Sequence, residues 1–344
     1  MKKIMFYFMA ITLAWAMLAS CKKNDNPDSQ TGTQTVLTVD AASAAARIEL
    51  AGSGKATINW GDGQTTDLTL NSSSIVYEHN YSATSSSKTI TIAGGQLRML
   101  TCRTGKFTAI DTGKNPDLTY LYCAENQLTS LDLRNNPLLE ILTCDNNKIT
   151  NIDISKNKAL KVLNCSQNQL TSLNIDGNTA LTDLQCAVNQ LTSLNIDKNI
   201  ELQTLYCAAN ELTGLNTSKN TKIWSINCLT NKIAALDLSE NIKLTEINCS
   251  DNLLTALDVS KNTLLNNINC SGNQLTALDV TTNIKLATLN CFNNQFTVNT
   301  LNALFDTLHS GAISGLTKQI FIGANPGTSG CDRTKATGKN WVVA

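Results

Sequence analysis

Ten cysteines recur along the chain at a constant spacing of 21 residues. A cysteine thiolate can act as a nucleophile, ligate a metal ion or form a disulfide, so this series is the first place to look for chemistry. The ten positions are Cys102, Cys123, Cys144, Cys165, Cys186, Cys207, Cys228, Cys249, Cys270 and Cys291.

The regular spacing favours a scaffold over a reactive site. Equivalent residues in stacked parallel strands form a straight column, about 4.8 Å apart. A disulfide needs Cβ atoms about 3.8 Å apart, and a zinc site needs four ligands that converge on one point. A catalytic thiol needs exposure and a positively charged neighbour. We therefore interpret the ten cysteines as small buried side chains that stay unreactive in the folded protein.

The cysteines belong to ten blocks of 21 residues, of which the first begins at Leu97. The idealised block is L-x-x-L-x-C-x-x-N-x-L-T-x-L-D/N-L/I-x-x-N-x-x. Its L-x-C segment alternates with a period of two, which predicts a short strand. The remainder is too short and too rich in Asn, Thr and Gly for an amphipathic helix. The block from Leu160 offers six inward positions, namely Leu160, Leu163, Cys165, Leu170, Leu173 and Ile175.

Because one strand cannot bury its apolar side alone, the pattern predicts a β-rich solenoid with a parallel sheet. The block resembles the leucine-rich repeat, whose core is L-x-x-L-x-L-x-x-N. More narrowly, it is similar to the 21-residue cysteine-containing repeat of the internalin J-like branch of the internalin family. The resemblance covers residues 97–306 and implies about ten coils. Asparagines such as Asn168 and Asn178 are predicted to turn the chain and to hydrogen-bond buried backbone groups between coils.

The region before the repeats, residues 36–96, contains several short strand patterns. Its Trp60-Gly61-Asp62-Gly63 and His79-Asn80-Tyr81 segments resemble the W-x-F-G-D-G…H-x-Y pattern of PKD-type β-sandwich domains. In that family the motif is structural. His79 as a ligand or base is the less favoured alternative.

The region after the repeats, residues 307–344, is predicted to close the solenoid as an α/β cap. The preceding segment has apolar residues at helical spacing, namely Leu301, Leu304, Phe305 and Leu308. Cys331 lies outside the 21-residue series and is either a core residue of the cap or a free thiol.

Residues 1–20 are typical of a signal peptide, with two lysines followed by an apolar run. Leu18-Ala19-Ser20-Cys21 resembles the bacterial lipobox, which implies that Cys21 is lipidated; an ordinary secretory signal is the alternative. Residues 21–35 are predicted to be a disordered tether. Lys22 resembles the residue found after the cysteine in lipoproteins sent to an outer membrane. We expect a surface-exposed outer-membrane lipoprotein of a Gram-negative bacterium, and the periplasmic orientation stays open.

Composition gives little support to catalysis. The chain has 27 basic and 27 acidic residues and only two histidines, far apart in sequence. It lacks a Gly-rich phosphate loop, G-x-S-x-G and H-E-x-x-H. We expect no enzyme activity, no cofactor, no metal and no nucleic-acid partner. Several carboxylates recur by repeat and look like turn residues, namely Asp132, Asp153, Asp237, Asp258 and Asp279.

Function is expected on the outward-facing strand positions, which form the concave face of such solenoids. Contiguous exposed apolar surface marks interaction sites, although the N-terminal domain could instead fold over these residues. The sequence predicts a monomeric adhesion protein that binds a protein on a host or neighbouring cell. The alternatives are a glycan-binding module on the asparagine row from Asn227 to Asn290, or an envelope-structural protein. The predicted ligand-binding residues are Met99, Tyr120, Tyr122, Ile141, Val162 and Tyr206.

Overall fold

The computed structural model describes residues 33–82, 86–313 and 315–344. The predicted signal peptide, the predicted lipidation site Cys21 and residues 22–32 of the predicted tether lie outside the described residues. Among the described residues, no helix is long and apolar enough to cross a membrane.

The N-terminal region contains six strands, and its two longest strands pair with each other across two register shifts. The strands are β1 (Gln34–Val39), β2 (Ala45–Asn59), β3 (Thr65–Leu70), β4 (Ile75–Asn80), β5 (Lys88–Thr101) and β6 (Phe107–Asp111). The first half of β2 pairs with β4 and with the end of β5. The second half of β2 pairs with β3 and with the start of β5, which also pairs with β1. All six strands belong to the same continuous sheet as the strands of the repeats.

Glycines lie at both register shifts of this strand pair. A Cβ atom on Gly52 would overlap the carbonyl oxygen of Gln96 on β5. Gly94 has a φ of +83°, in the left-handed region that favours glycine. The register of β2 against β5 shifts at both places. As a result, β5 runs across the predicted domain boundary at 96/97, and the N-terminal region and the first coil share a strand.

Nine short strands continue the sheet from the end of β5, and each pairs in parallel with the next. They are β7 (Tyr120–Tyr122), β8 (Ile141–Thr143), β9 (Val162–Asn164), β10 (Asp183–Gln185), β11 (Thr204–Tyr206), β12 (Ser225–Asn227), β13 (Glu246–Asn248), β14 (Asn267–Asn269) and β15 (Thr288–Asn290). The register does not slip from one coil to the next, so equivalent residues face each other. Between β7 and β15 the described coils contain no helix, as the composition of the returning segments predicts.

The core of the solenoid is built from the inward positions that the repeat predicts. In the coil that starts at Leu160, all six predicted side chains are at most 8% exposed. Leucine or isoleucine fills most equivalent positions of the other coils, and the cysteine column runs through the same core. The predicted leucine-rich repeat architecture is therefore confirmed.

One asparagine ladder ties each cysteine to the next coil. The Nδ2 group of Asn168 donates to the carbonyls of Cys144, Cys165 and Ser166, at 3.0, 3.1 and 3.2 Å. Its Oδ1 atom accepts from the backbone N–H of Ile149 at 2.9 Å. One side chain thus satisfies four backbone groups in two neighbouring coils, which confirms the predicted role of these asparagines.

A second asparagine ladder lies at the turn before each strand. The Nδ2 group of Asn178 donates to the carbonyls of Ile154 and Asn157, at 3.0 and 2.9 Å. Its Oδ1 atom is buried and accepts no hydrogen bond from the described protein groups. Asn241 differs, because Thr217 stands where most coils have an aliphatic residue, and its hydroxyl donates to Asn241 Oδ1 at 2.6 Å. The same orphaned Oδ1 atom occurs at Asn157, Asn178, Asn199, Asn220, Asn262 and Asn283.

The C-terminal cap extends the sheet as well as covering the core. It contains α1 (Val298–Thr307), β16 (Lys318–Phe321), α2 (Thr334–Thr337) and β17 (Trp341–Val343). Strand β16 pairs with β15, and β17 pairs with β16, so the parallel sheet is two strands longer than the ten predicted coils. The ammonium group of Lys318, which is only 4% exposed, donates to the carbonyls of His309, Gly311 and Lys339. This buried cation fixes the segments that close the end of the core.

The second ladder predicts that a buried hydroxyl costs less stability at Val259 than at Val280. Val259 stands 24 residues before Asn283, as Thr217 stands before Asn241, so Val259→Thr places a hydroxyl beside the orphaned Oδ1 of Asn283. Burying an unpaired hydroxyl ordinarily costs about 1–3 kcal/mol. We expect Val259→Thr to cost about 1 kcal/mol less than Val280→Thr, the matched control, which has no asparagine 24 residues later. Denaturant unfolding measures both, and equal losses would contradict the pairing.

Candidate functional site

The outward side of the parallel sheet carries all six predicted ligand-binding residues. We call it the concave face, because this side of the sheet is the concave one in solenoids of this type. Met99 pairs with Tyr120, Tyr120 with Ile141, and Ile141 with Val162, so these four form one column across adjacent strands. Tyr122 lies beside them in the neighbouring column of the same face. Five of the predicted residues therefore come together, and we call Met99, Tyr120, Tyr122, Ile141 and Val162 the apolar patch. Tyr206 lies in the column of Tyr122, four strands further along.

The N-terminal region lengthens this face and does not fold over it. On β2, Ala51 pairs with Met99 and Glu49 pairs with Thr101, so the strand adds to the edge of the sheet. All five patch side chains remain partly exposed. Burial raises the pKa of the Tyr122 hydroxyl, and the nearby Tyr120 and Glu49 raise it further. The patch is accordingly an open, half-buried surface with a carboxylate at its margin.

Beyond the patch, the same face carries two neighbouring hydrogen-bonded groups, Asp183 with Thr204 and Ser225 with Tyr206 and Glu246, which we together call the acidic network. The carboxylate of Asp183 accepts from the hydroxyl of Thr204 at 2.7 Å. The hydroxyl of Ser225 donates to Glu246 Oε1 at 2.6 Å and lies 3.4 Å from the Tyr206 oxygen. Thr204 and Ser225 are each only 2% exposed, so they form the floor between the two carboxylates.

Sequence reasoning did not single out Asp183 and Glu246 as site residues. The available signal was that they are the only charged side chains in the column that begins at Met99 and ends at Thr288. Their hydroxyl partners follow from the strand register, which aligns Asp183 with Thr204 and Ser225 with Glu246. That register could be read from the repeat spacing, but the hydrogen bonds could not.

The asparagine row toward the C-terminal end of the face has one polar atom of each side chain already engaged. Asn248 Oδ1 accepts from the backbone N–H and the hydroxyl of Ser250, at 3.2 and 2.8 Å. Asn269 makes the same two contacts with Ser271. Asn227 and Asn290 also accept from the backbone two residues later. These oxygens stabilise the turn after each strand, which leaves the amide nitrogens as the outward-facing donors.

Burial makes the thiols of the cysteine column unreactive in the folded protein. Burial raises the pKa of Cys165, Cys228 and Cys291 to about 12, so their thiolates do not form near neutral pH. Among the described residues, no disulfide joins any of the eleven cysteines. All ten ladder cysteines are buried in the core, as the scaffold interpretation requires. Cys331 is a partly exposed free thiol that packs against the core of the cap.

The residues of the predicted PKD-like motif form one interlocked cluster in the N-terminal region. The His79 ring stacks on Trp60, with 4.9 Å between ring centroids, and meets Tyr81 edge-on. His79 Nε2 lies 2.7 Å from Asp62 Oδ2, and the Tyr81 hydroxyl donates to the carbonyl of Trp60. The Trp60 indole N–H donates to the Thr66 hydroxyl at 2.9 Å, which ties the cluster to β3. These contacts support a structural role for His79. In the described part of the chain, no group of three or more His, Cys, Asp or Glu side chains could hold a metal ion.

The recurring aspartates are turn residues, as the sequence predicts. Each accepts a hydrogen bond from the backbone N–H two residues later, at 2.8–3.1 Å. The Arg134 guanidinium lowers the pKa of Asp132 to about 2. The backbone N–H of Ser155 lowers the pKa of Asp153, and the hydroxyl of Thr281 lowers that of Asp279. These carboxylates stabilise the turns that follow them.

Comparison with known proteins supports this description of the fold. The functional domain of InlJ from Listeria monocytogenes, which includes a cysteine ladder, aligns with a TM-score of 0.64 and 34% identity. The alignment covers 72% of this chain and 52% of the InlJ chain, so this chain spans about half of that one. No protein-family model and no curated protein matches the chain.

Two further solved structures share the fold at lower identity. The Leptospira interrogans leucine-rich repeat protein LIC12759 aligns with a TM-score of 0.59 and 23% identity, over 67% of this chain and 62% of its own. The internalin InlF of Listeria monocytogenes aligns with a TM-score of 0.54 and 21% identity, over 66% of this chain and 74% of its own. Together with InlJ, they confirm the leucine-rich repeat fold, and the cysteine ladder is shared with InlJ.

The turn aspartates predict how the stability of the folded protein decreases at acid pH. Because their pKa values are lowered in the folded protein, they stabilise it above the unfolded value of about 3.8. This contribution is lost as the pH falls through the folded values, toward pH 2. We expect the variant with all five changed to asparagine to lose less Tm between pH 5 and pH 2 than the unmodified protein. Asn174, Asn195 and Asn216 already accept the same hydrogen bond, so the turns should persist. An equal decrease in Tm between pH 5 and pH 2 in the two proteins would refute this account.

Proposed function

We propose that this leucine-rich repeat protein, whose cysteine-ladder repeats are similar to those of InlJ, is a recognition module that binds a protein partner through its concave face. The observation that carries the proposal is the apolar patch. Met99, Tyr120, Ile141 and Val162 stand side by side at outward positions where the fold requires no apolar residue. In the second half of the same column, polar side chains such as Thr288 stand at the equivalent positions.

The chemistry of the patch suits a protein partner. Contiguous exposed apolar surface on a soluble domain tends to mark an interaction site. Tyrosine is enriched among residues that contribute most to binding energy, because it adds apolar area together with a hydroxyl. Tyr120 and Tyr122 are held on adjacent columns of a rigid sheet, so little side-chain freedom is lost when a partner docks.

We further propose that the solenoid is an outer-membrane lipoprotein that is displayed at the cell surface, where it adheres to a protein of a host or neighbouring cell. The support is the Leu18-Ala19-Ser20-Cys21 sequence and the polar segment after it. Protease added to intact cells should digest the displayed solenoid, around residues 97–344, while a periplasmic control protein stays intact. Protection of the solenoid would reject surface display and favour an envelope-structural role.

A second candidate function is glycan binding on the asparagine row. The observation in its favour is that the row presents amide donors in register, from Asn227 to Asn290. The acceptor oxygens of this row are engaged in turns, which removes half of the usual sugar-binding capacity of an amide. Binding to purified polysaccharides that persists without the apolar patch would support this alternative.

The patch hypothesis predicts that the double variant Tyr120→Asp, Ile141→Asp loses binding to target cells by more than about tenfold. The reason is that two buried contacts are replaced by desolvated carboxylates. Flow cytometry with the fluorescently labelled purified protein measures the effect. A matched control changes two exposed apolar residues at turns away from this face, Leu138→Asp and Ile284→Asp. Unchanged binding of the patch variant, with a Tm close to that of the unmodified protein, would reject the proposed site.

A further inference from the structure

The charge of the concave face differs from that of the chain as a whole. Along the nine strands β7–β15, the outward strand positions and the residue after each cysteine include three carboxylates, Asp145, Asp183 and Glu246. The same positions include no lysine and no arginine, although the chain has 27 basic and 27 acidic residues. Arg103 lies just before this range and is paired with Glu125 at 3.5 Å. The fold does not require this separation, because outward positions accept any polar residue.

Two of these carboxylates are held in fixed orientations. Asp183 accepts from the hydroxyls of Thr182 and Thr204, both at 2.7 Å. Glu246 accepts from Ser225 at 2.6 Å through one oxygen, Oε1. Hydroxyl donors of this kind orient the carboxylate and occupy only part of its acceptor capacity. Both residues are partly exposed, so the free acceptor sites are open to a partner.

Aromatic rings lie among the carboxylates. Tyr206 stands between Asp183 and Glu246 in strand order, and its oxygen lies 3.4 Å from the Ser225 hydroxyl. On one side Tyr122 pairs with Thr101, which in turn pairs with Glu49. On the other side Tyr122 pairs with Thr143, two residues before Asp145. Tyrosine faces attract cationic side chains, and arginine in particular packs on them.

The spacing of the charges selects an extended ligand. Asp183 and Glu246 lie three strands apart, which corresponds to about 14 Å across the sheet. A single divalent cation needs its oxygen ligands within about 2.6 Å, so it cannot engage both carboxylates. A polypeptide segment that lies across the strands can place successive basic side chains at this spacing.

We propose that the partner presents lysine or arginine side chains on an extended segment, which lies across the concave face between Asp183 and Glu246. This inference rests on the proposed function, because it names the chemistry of the partner that the face recognises. The apolar patch contributes apolar contact area, and the acidic network contributes charge selectivity and orientation.

The test uses the purified protein with two fluorescein-labelled dodecapeptides, one of alternating lysine and glycine and one of alternating glutamate and glycine. Fluorescence anisotropy at 50 mM NaCl should show binding of the lysine peptide alone. The double variant Asp183→Asn, Glu246→Gln should weaken that binding by about tenfold or more. The amides keep the oxygen that accepts from Thr204 or Ser225, so the fold should be retained. A matched control, Asp132→Asn with Asp153→Asn, removes the same charge at turns outside the face and should bind as the unmodified protein does.

Two outcomes would overturn the inference: no binding of the lysine peptide, or an equal loss in the matched control, which would indicate attraction to net charge alone. The cell-binding measurement separates this failure from failure of the proposed function. Cell binding that depends on Tyr120 and Ile141, without lysine-peptide binding, rejects only the cationic partner. Cell binding that is unchanged in the Tyr120→Asp, Ile141→Asp variant rejects the proposed function itself.

Discussion

The structure depends on how the backbone carbonyls between coils find hydrogen-bond donors. In the nine coils from β7 to β15 only three residues belong to a strand, so carbonyls such as that of Cys165, just after the strand, need another donor. Asn168 and its equivalents provide one, because a single amide bridges the carbonyls of two successive cysteines. A buried carbonyl without a partner would cost about 1–3 kcal/mol. Both ladders join equivalent positions of successive coils, so an insertion or deletion in one coil would break their hydrogen bonds.

A fixed interval also determines where recognition can occur. With no slip in register, each outward position becomes a column across the sheet, and its members are free to vary. Met99, Tyr120, Ile141 and Val162 make one end of a column apolar, and Asp183 and Glu246 make its middle acidic. The face therefore combines apolar area with directed charge on a rigid support, which is the combination that gives both affinity and specificity.

Much of this architecture follows from the sequence, because a periodic pattern constrains every coil at once. The six inward positions from Leu160 to Ile175, the inert cysteines and the turn aspartates all follow from period and residue type. The edge pairing of β2 beside Met99 could not be predicted, since it depends on register shifts near Gly52. The two extra strands of the cap and the burial of Lys318 could not be predicted either. Each of these features occurs once, so the repeat pattern contains no information about it. The hydroxyl contacts of Asp183 and Glu246 depend on side-chain rotamers, which the repeat does not encode.

The central claim is that repeated residues hold the coil and variable outward residues recognise the partner. The most direct measurement is a scan of single substitutions across residues 97–292, with cell binding and protection of the cysteine thiols scored for every variant. The account predicts that changes at ladder positions such as Asn168 lose both properties. Changes at outward positions such as Tyr120 should lose binding while the thiols stay protected. If the variants that lose binding alone were to map to the turns and not to the concave face, the account would be contradicted.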